Sequence, residues 1–430
     1  MRILLTGATG LIGGAIAHAL LQRGHEVVCA VRDPSRLQLG PQARALQADL
    51  SAMPDADWWR PHLEGIDAVV NAVGILRESP GQSFDALHHR APAELFLACA
   101  TEGVRCVVQI SALGADARAS TAYHVSKRAA DEVLRALPLR GAVVQPSLVF
   151  SPEGASSALF LGMATAPLLM LPDGGAMPVQ PVHLEDVVDG VVALLDDPPP
   201  TVTTLAFVGP QPITLRVYLA GLRQQLGLGR EQWMLPMPQA LFRAGARVAG
   251  QVPGSPLDAD TAAMLLAGNA APAEDFTRLL SRRPRDPSAF VPPRLAPALR
   301  AGAALGWTLP LLRLSLAFLW LWSALVSFGL YPVEESRELL ADVGLHGAWA
   351  TLALYGAGLL DLALGMLTLW APPRWRWWVW PVQLAVVAGY TLLVTVFLPE
   401  FWLHPYGPIS KNLPIMGVIV LLWALEPRRR

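Results

Sequence analysis

Three uninterrupted apolar runs near the carboxyl end limit what this chain can fold into more than any other feature. Residues 310–330, 349–371 and 377–398 span 21, 23 and 22 positions. At about 1.5 Å per helical residue, each is long enough to cross a hydrocarbon layer of roughly 30 Å. A fourth run, residues 410–425, has only 16. The expected unit, residues 298–430, is therefore a four-helix transmembrane domain whose last member is the shortest. Trp349, Trp377, Trp378, Trp380 and Trp423 fall near run ends, where amphipathic rings meet the headgroups. The whole chain, 53% hydrophobic with a mean hydropathy of +0.39, suits a soluble part joined to a membrane part.

Charge gives the expected orientation. Arg374 and Arg376 separate the second and third runs, Arg428, Arg429 and Arg430 close the chain, and Arg294 and Arg300 precede the first run. The positive-inside rule then puts both termini in the cytoplasm of a multi-pass cell-membrane protein. Glu334, Glu335, Glu338 and Asp342 fall in the first outer loop. Asp361 is the one acidic side chain inside the four runs and lies near mid-membrane. A charge there costs at least about 2.5 kcal/mol, so it should face the bundle interior. Counting depth in the antiparallel third run puts Gln383 and Tyr390 about one turn to either side, as its expected hydrogen-bond partners. His404, beside Pro405 and Tyr406, is a further membrane-site candidate, although it has no metal-ligand spacing to any cluster.

The first 300 residues read as an α/β unit. Residues 3–5, 26–31, 43–48, 67–72, 104–111 and 140–144 are short strands, mostly continuous apolar runs of the kind parallel strands show when both faces are covered. Residues 184–195 and 215–226 read as helices and residues 201–208 as one more strand. The amino-terminal domain is expected over 1–205, and a small, mostly helical lobe over 206–297. The proline-rich, charged stretch 282–297 has linker composition. Cys29, Cys99 and Cys106 sit in apolar surroundings without a C-x-x-C pair, which fits a reducing compartment. No secretory cleavage pattern follows Met1. No Lys/Arg stripe interleaved with aromatics suggests nucleic acid.

Between the first strand and the first helix the chain reads TGATGLIG, placing Gly7, Gly10 and Gly13 at three-residue steps. Glycines there permit a tight turn and leave a helix amino terminus open to a pyrophosphate. Leu11 and Ile12 open that helix. Arg32 follows the second strand and Arg36 lies one turn on, where guanidinium groups suit a 2′-phosphate, so NADP is favoured. Asp33 keeps NAD as the alternative, because a carboxylate there suits the ribose hydroxyls. Asp49 and Leu50 follow the third strand; Asp49 is either an adenine contact or a solvated turn residue. Asn71, Ala72 and Gly74 would form a close-approach loop, and Pro146 follows the sixth strand. Ser111 ends the fifth strand, Tyr123 follows by 12 residues and Lys127 by four more, which sets Tyr123 and Lys127 on one helix face. A cation beside a tyrosine favours its phenolate, so Tyr123 would move a proton, Ser111 orient a substrate oxygen and Lys127 hold the cofactor ribose. Read alone, such a pair is commonly a helix surface contact.

TGATGLIG, Asp49-Leu50, ISALGA at 110–115, YHVSK at 123–127, QPSLVF at 145–150 and PVHLEDV at 181–187 resemble the atypical extended short-chain dehydrogenases. The similarity is greatest to the group around the accessory dinucleotide-binding subunit of respiratory complex I. That resemblance implies a Rossmann-type parallel sheet with a small lobe, pyrophosphate on Gly7, Gly10 and Gly13, and an active-site set of Ser111, Tyr123 and Lys127. Gln145 departs from the arginine many relatives carry before the proline, and Ser151 from a common glycine. His183 and Asp186, within PVHLEDV, read as a strand-to-helix junction with Asp186 favouring the helix amino end. LYPVEES at 330–336, Asp361, Gln383, Tyr390 and PEFWLHPYGPISKNLP at 399–414 resemble the DoxX-like membrane domains, whose relatives are associated with quinone-linked oxidation. The expected partners are a nicotinamide dinucleotide, membrane lipid, and a small hydrophobic, lipid-like or quinone-like substrate. The competing classes are a membrane-attached oxidoreductase or epimerase, a nucleotide-bound assembly factor, and a redox sensor.

Overall fold

A computed structural model describes residues 1–37, 39–40, 42–229, 232–251 and 257–426. Arg428, Arg429 and Arg430, on which part of the expected orientation rests, lie outside the described residues. The chain divides into two units, Met1–Ala303 and Ala304–Arg430.

The first unit is built on strands β1 (Arg2–Thr6), β2 (Glu26–Val31), β3 (Ala43–Gln47), β4 (Ala68–Asn71), β5 (Cys106–Ile110) and β6 (Gly141–Pro146). With the strand Thr203–Phe207 they form one sheet in the order Thr203–Phe207, β6, β5, β4, β1, β2, β3, every pairing parallel. Alternation along each strand feeds two layers. Ile3 and Leu5 join Ile16 and Leu20 of α1 (Leu11–Gln22) and Val187 and Val191 of the helix Leu184–Asp196. Leu4 turns the other way, onto Trp59 of α2 (Ala56–Leu63), Phe96 of α3 (Ala91–Thr101) and Leu134 of α4 (Ala122–Ala136). Chain order reverses between β1 and β4, which opens a crevice at their carboxyl ends.

A lobe beside this sheet has its own core, in which Phe150, Phe160, Leu171 and Met177 meet Leu215, Tyr218, Leu222 and Phe290. Its helices are joined by a short parallel pairing of Leu168–Pro172 with Trp233–Met237. Residues 282–297 do not behave as their composition suggests. Arg282 pairs with Asp186 and Asp189, Arg285 with Glu185, and Phe290 is fully buried. Their charges are counterions to the acidic first turns of the helix Leu184–Asp196, so the stretch is packed and not a free linker. His183 caps that helix and accepts from Glu185 N, consistent with a junction residue.

Among the described residues three helices are long and apolar enough to cross a membrane, in Ala296–Leu330, Ala348–Trp370 and Pro373–Phe397. Asn412–Leu425 is apolar but shorter. Leu316, Trp320, Leu364, Trp380, Val387, Ile419 and Leu422 form the core. The distribution inverts that of a water-soluble bundle. Asp361, Thr368, Gln383 and Glu426 are buried, while Leu314, Phe318, Leu352, Leu392 and Val396 are exposed, as a hydrocarbon solvent requires. The acidic loop expected after the first span contains a helix, Val333–Asp342.

Candidate nucleotide and active site

The parallel register brings Thr6, Asn71 and Gln109 level with one another across β1, β4 and β5. Thr6 donates to the Asn71 carbonyl, and the Asn71 amide donates to Gln109 Oε1 at 2.6 Å. This buried ladder ties the three strand ends that face the crevice.

The glycine loop lies immediately after β1. Gly7 has φ +75°, and a Cβ there would stand 2.6 Å from the Ala72 carbonyl oxygen. A Cβ on Gly13 would stand 2.3 Å from the Gly7 carbonyl oxygen. Gly10 precedes α1, whose amino terminus has no side-chain cap and no acidic residue in its first turn. Open N–H groups and a positive helix end are what an anionic phosphate needs. Leu11 is exposed at this edge and Ile12 is half-buried. The residues present fit a dinucleotide pyrophosphate.

Lys127 fastens the next two loops. Its ammonium donates to Val73 O at 2.9 Å and to Ile110 O at 3.0 Å, and the side chain is 3% exposed. A Cβ on Gly74 would approach Nζ to 3.2 Å, so a glycine there leaves room for the lysine. Burial pulls the ammonium down to about 8, against the attraction of Asp131. Two of its three donors are used, and one remains for a ligand.

Ser111 is 5% exposed, and its hydroxyl donates to Asp131 Oδ2 at 2.5 Å. Asp131 is wholly buried, and beside its Ser111 bond it has the Gln109 amide as a weaker neighbour. Burial pushes this carboxyl up to about 6, while the Ser111 hydrogen bond and the Lys127 charge oppose the rise. Tyr123 is half-buried, edge-on to His88 at 5.4 Å and to Phe84 at 6.0 Å. Burial, then the Asp131 charge, push its phenol up to about 12. The free protein therefore holds Tyr123 as a phenol, and not as the phenolate a neighbouring cation would favour.

Sequence reasoning did not single out His88 or Asp131. His88 is buried, accepts from Ile75 N at 2.9 Å and lies 3.0 Å from Ser126 Oγ through Nδ1. Burial and the Lys127 charge lower it to about 3, so it is neutral. It braces the loop after β4 against α4, and nothing in its local pattern announces this. Asp131 did carry a signal, since 123, 127 and 131 repeat at four residues along one face.

At the far end of the crevice the polar residues are exposed. Asp33 accepts from Ser35 N at 3.0 Å and Ser35 Oγ at 2.6 Å, and Asp49 does the same for Ser51 at 2.9 and 2.6 Å. Both carboxylates cap short turns. Leu50 is buried in the core. Arg36 is exposed, and Arg32 faces the Gln82 side-chain amide. Pro146 is buried at the end of β6, and Gln145 donates to Ala115 O at 3.1 Å.

In the second unit, Asp361 does not take the partners that depth counting assigns. Ser323 of the first span donates to Asp361 Oδ2 at 2.6 Å, whereas Gln383 accepts from the Trp320 indole at 2.9 Å and donates to Thr368 at 2.8 Å. Depth fixes the height of a residue in a helix but not the face it presents. Tyr390 is 38% exposed. His404 is exposed between Phe401 and Tyr406.

Comparison with known proteins gives two families along the chain. The NAD(P)H-binding family matches residues 7–198 and the DoxX-like family residues 317–420. A 3-diazoavenalumate denitrifying reductase of Streptomyces sp is 31% identical over 229 residues, 46% of this chain and 72% of that protein. The NADH dehydrogenase (ubiquinone) 1 alpha subcomplex subunit 9 of Mus musculus mitochondria is 26% identical over 244 residues, 55% of this chain and 63% of that protein. The chain covers 49% of the Arabidopsis thaliana counterpart, so it spans well under the full length of these subunits. A ceramide reductase of Caulobacter vibrioides is 26% identical over 256 residues, 57% and 77% of the two chains. Among solved structures, the UDP-glucuronic acid 4-epimerase of Bacillus cereus, in complex with UDP-glucuronic acid and NAD, aligns with a TM-score of 0.51 at 17% identity. It covers 70% of this chain and 100% of its own, a likeness of fold alone.

Proposed function

The chain belongs to the NAD(P)H-binding family of short-chain-dehydrogenase type, joined here to a DoxX-like domain, and from that premise we propose that it is a membrane-attached, NADP-dependent oxidoreductase of lipid-like or quinone-like substrates. One observation carries the reading. Tyr123 keeps a protonated hydroxyl that no described residue engages, on the same face of α4 as an ammonium with one donor to spare. Gly7, Gly10 and Gly13 with the open end of α1 would hold the pyrophosphate, and Lys127 the nicotinamide ribose. When bound, the nicotinamide supplies the hydride. Tyr123 gives its proton to the substrate oxygen, the direction that suits a phenol held above its usual range. Ser111 offers that oxygen a hydrogen bond only by releasing Asp131. This commitment of Ser111 favours a second reading, a nucleotide-bound assembly factor without turnover.

The preference for NADP rests on the far end of the crevice. Asp33 spends one carboxylate oxygen on Ser35, while Arg32 and Arg36 are exposed and can pair with a 2′-phosphate. Titration against tryptophan fluorescence should give an NADPH affinity about tenfold or more above that of NADH, and Arg32→Ala with Arg36→Ala should remove the difference. Equal affinities in the unaltered protein would discard phosphate pairing.

The membrane unit is read as four crossings with both termini in the cytoplasm, the last crossing supplied by the short helix Asn412–Leu425. Its interior offers Asp361, with one oxygen on Ser323 and the other without a partner among the described residues, as a contact for the polar head of the substrate. Asp361→Asn keeps the hydrogen-bonding shape and removes the acid. It should fold and insert normally, yet lose bound lipid-like substrate or lipid-dependent activity, as read by size exclusion and lipid mass analysis. Unchanged retention and activity would leave Asp361 a packing residue.

A further inference from the structure

One end of the membrane unit carries a charged cavity that neither the nucleotide site nor Asp361 uses. The cavity has a volume of about 240 Å³, with Leu309 and Arg313 on the first span, Pro373 and Arg376 at the start of the helix Pro373–Phe397, and Leu425 and Glu426 at the end of the last helix. Glu426 is 8% exposed. Its Oε2 lies 3.1 Å from Arg313 Nη2 and accepts from the Trp380 indole at 3.2 Å, and its Oε1 lies 3.6 Å from Arg376 Nε. The Arg313 guanidinium also stands over the Trp380 ring at 5.6 Å.

Among the described residues these two cations share one carboxylate, which leaves one positive charge without a counter-ion. Each guanidinium has five N–H donors. Among the described residues the only hydrogen bond either one makes is from Arg313 to Glu426, and the Nε atoms of both are buried without a hydrogen-bond partner. Donors so placed call for an acceptor with several oxygens and a negative charge. We propose that Arg313 and Arg376, held apart by Glu426 and Trp380, form a seat for a phosphate group. Leu309, Leu422 and Leu425 give the cavity apolar walls, and Leu425 is exposed, a setting that suits an anionic phospholipid headgroup. Glu426 sets the spacing of the two guanidiniums.

The test uses the full chain in mild detergent, with native mass spectrometry during titration by dioleoylphosphatidylglycerol, dioleoylphosphatidylcholine and inorganic phosphate. The unaltered protein should retain phosphatidylglycerol about tenfold more strongly than phosphatidylcholine, and Arg376→Gln should reduce it to the phosphatidylcholine level. Arg376→Lys should keep part of the preference. Leu309→Trp fills the cavity without changing charge and should produce the same loss, so it decides the matter if Arg376→Gln does not fold. Displacement of phosphatidylglycerol by millimolar inorganic phosphate would keep the seat and make its ligand a soluble anion. Equal retention of both lipids by the unaltered protein with no binding of inorganic phosphate, or full phosphatidylglycerol retention by a folded Arg376→Gln or Leu309→Trp protein, would overturn it.

Discussion

Tyr123→Phe should lower turnover by about 10²–10⁴-fold while leaving nucleotide affinity within about twofold. The phenol is the one acid in the cluster whose hydroxyl no described residue engages, and the ring stays seated against His88 and Phe84 without it. Only the proton at the substrate oxygen is lost. Lys127→Ala has a different signature, because its ammonium holds the loops after β4 and β5 through Val73 O and Ile110 O. Two carbonyls then lose their donor, at about 1–3 kcal/mol each if they stay dry. Nucleotide affinity should fall at least about tenfold along with turnover. Single-turnover kinetics and nucleotide titration on the two variants separate these effects. Full activity in Tyr123→Phe would remove Tyr123 as the proton donor, whereas a folded, nucleotide-loaded unaltered protein without turnover would favour the assembly-factor reading.

Gly13→Ala should have the largest effect on the nucleotide domain. Its added Cβ would stand 2.3 Å from the Gly7 carbonyl oxygen and 2.7 Å from its carbonyl carbon, both backbone atoms that no rotamer change can move aside. Either α1 withdraws from the turn or the turn leaves β4, and in both cases the open N–H groups no longer converge. Overpacking of this kind costs about 1–3 kcal/mol, and nucleotide affinity should drop by more than about tenfold. Gly10→Ala serves as the comparison, because its Cβ would meet only the Gly7 oxygen at 3.3 Å and its φ is an ordinary −88°. Thermal unfolding with and without NADPH reads both terms. The alanine at 13 should lower the midpoint and abolish the nucleotide-induced rise, whereas the alanine at 10 should hardly change the midpoint of the free protein. Equal behaviour of the two variants would contradict the steric account of the loop.

What was legible in the sequence follows from where a residue's neighbours come from. Parallel strands covered on both faces are apolar along their whole length, so β1, β2, β4 and β5 announce themselves locally, and TGATGLIG fixes the turn between β1 and α1. The spacing of Tyr123 and Lys127 likewise needs only a helix. Partners contributed by distant segments could not be read. Arg282 and Arg285 sit in a proline-rich stretch that looks like a tether, and only the fold reveals the acidic helix start they neutralise. Val333–Asp342 is helical although its acidic composition reads as loop. Asp361 faces the bundle interior as its charge demands, but Ser323 could not be found by counting, because facing direction is set by how all the helices pack.

The two families on one chain make the central claim a joint one, that a nicotinamide nucleotide and a lipid-facing unit serve one redox function. Its nucleotide half is the more exposed to test, since the glycine turn, the open end of α1 and the buried Lys127 have no common purpose without that ligand. The full chain, purified in mild detergent, incubated with equimolar NADPH and NADH, desalted and analysed by mass spectrometry, should retain close to one nicotinamide dinucleotide per chain, predominantly NADPH, and the Gly13→Ala chain should retain none. A folded full-length protein that carries neither nucleotide, or carries the same amount after Gly13→Ala, would contradict the account.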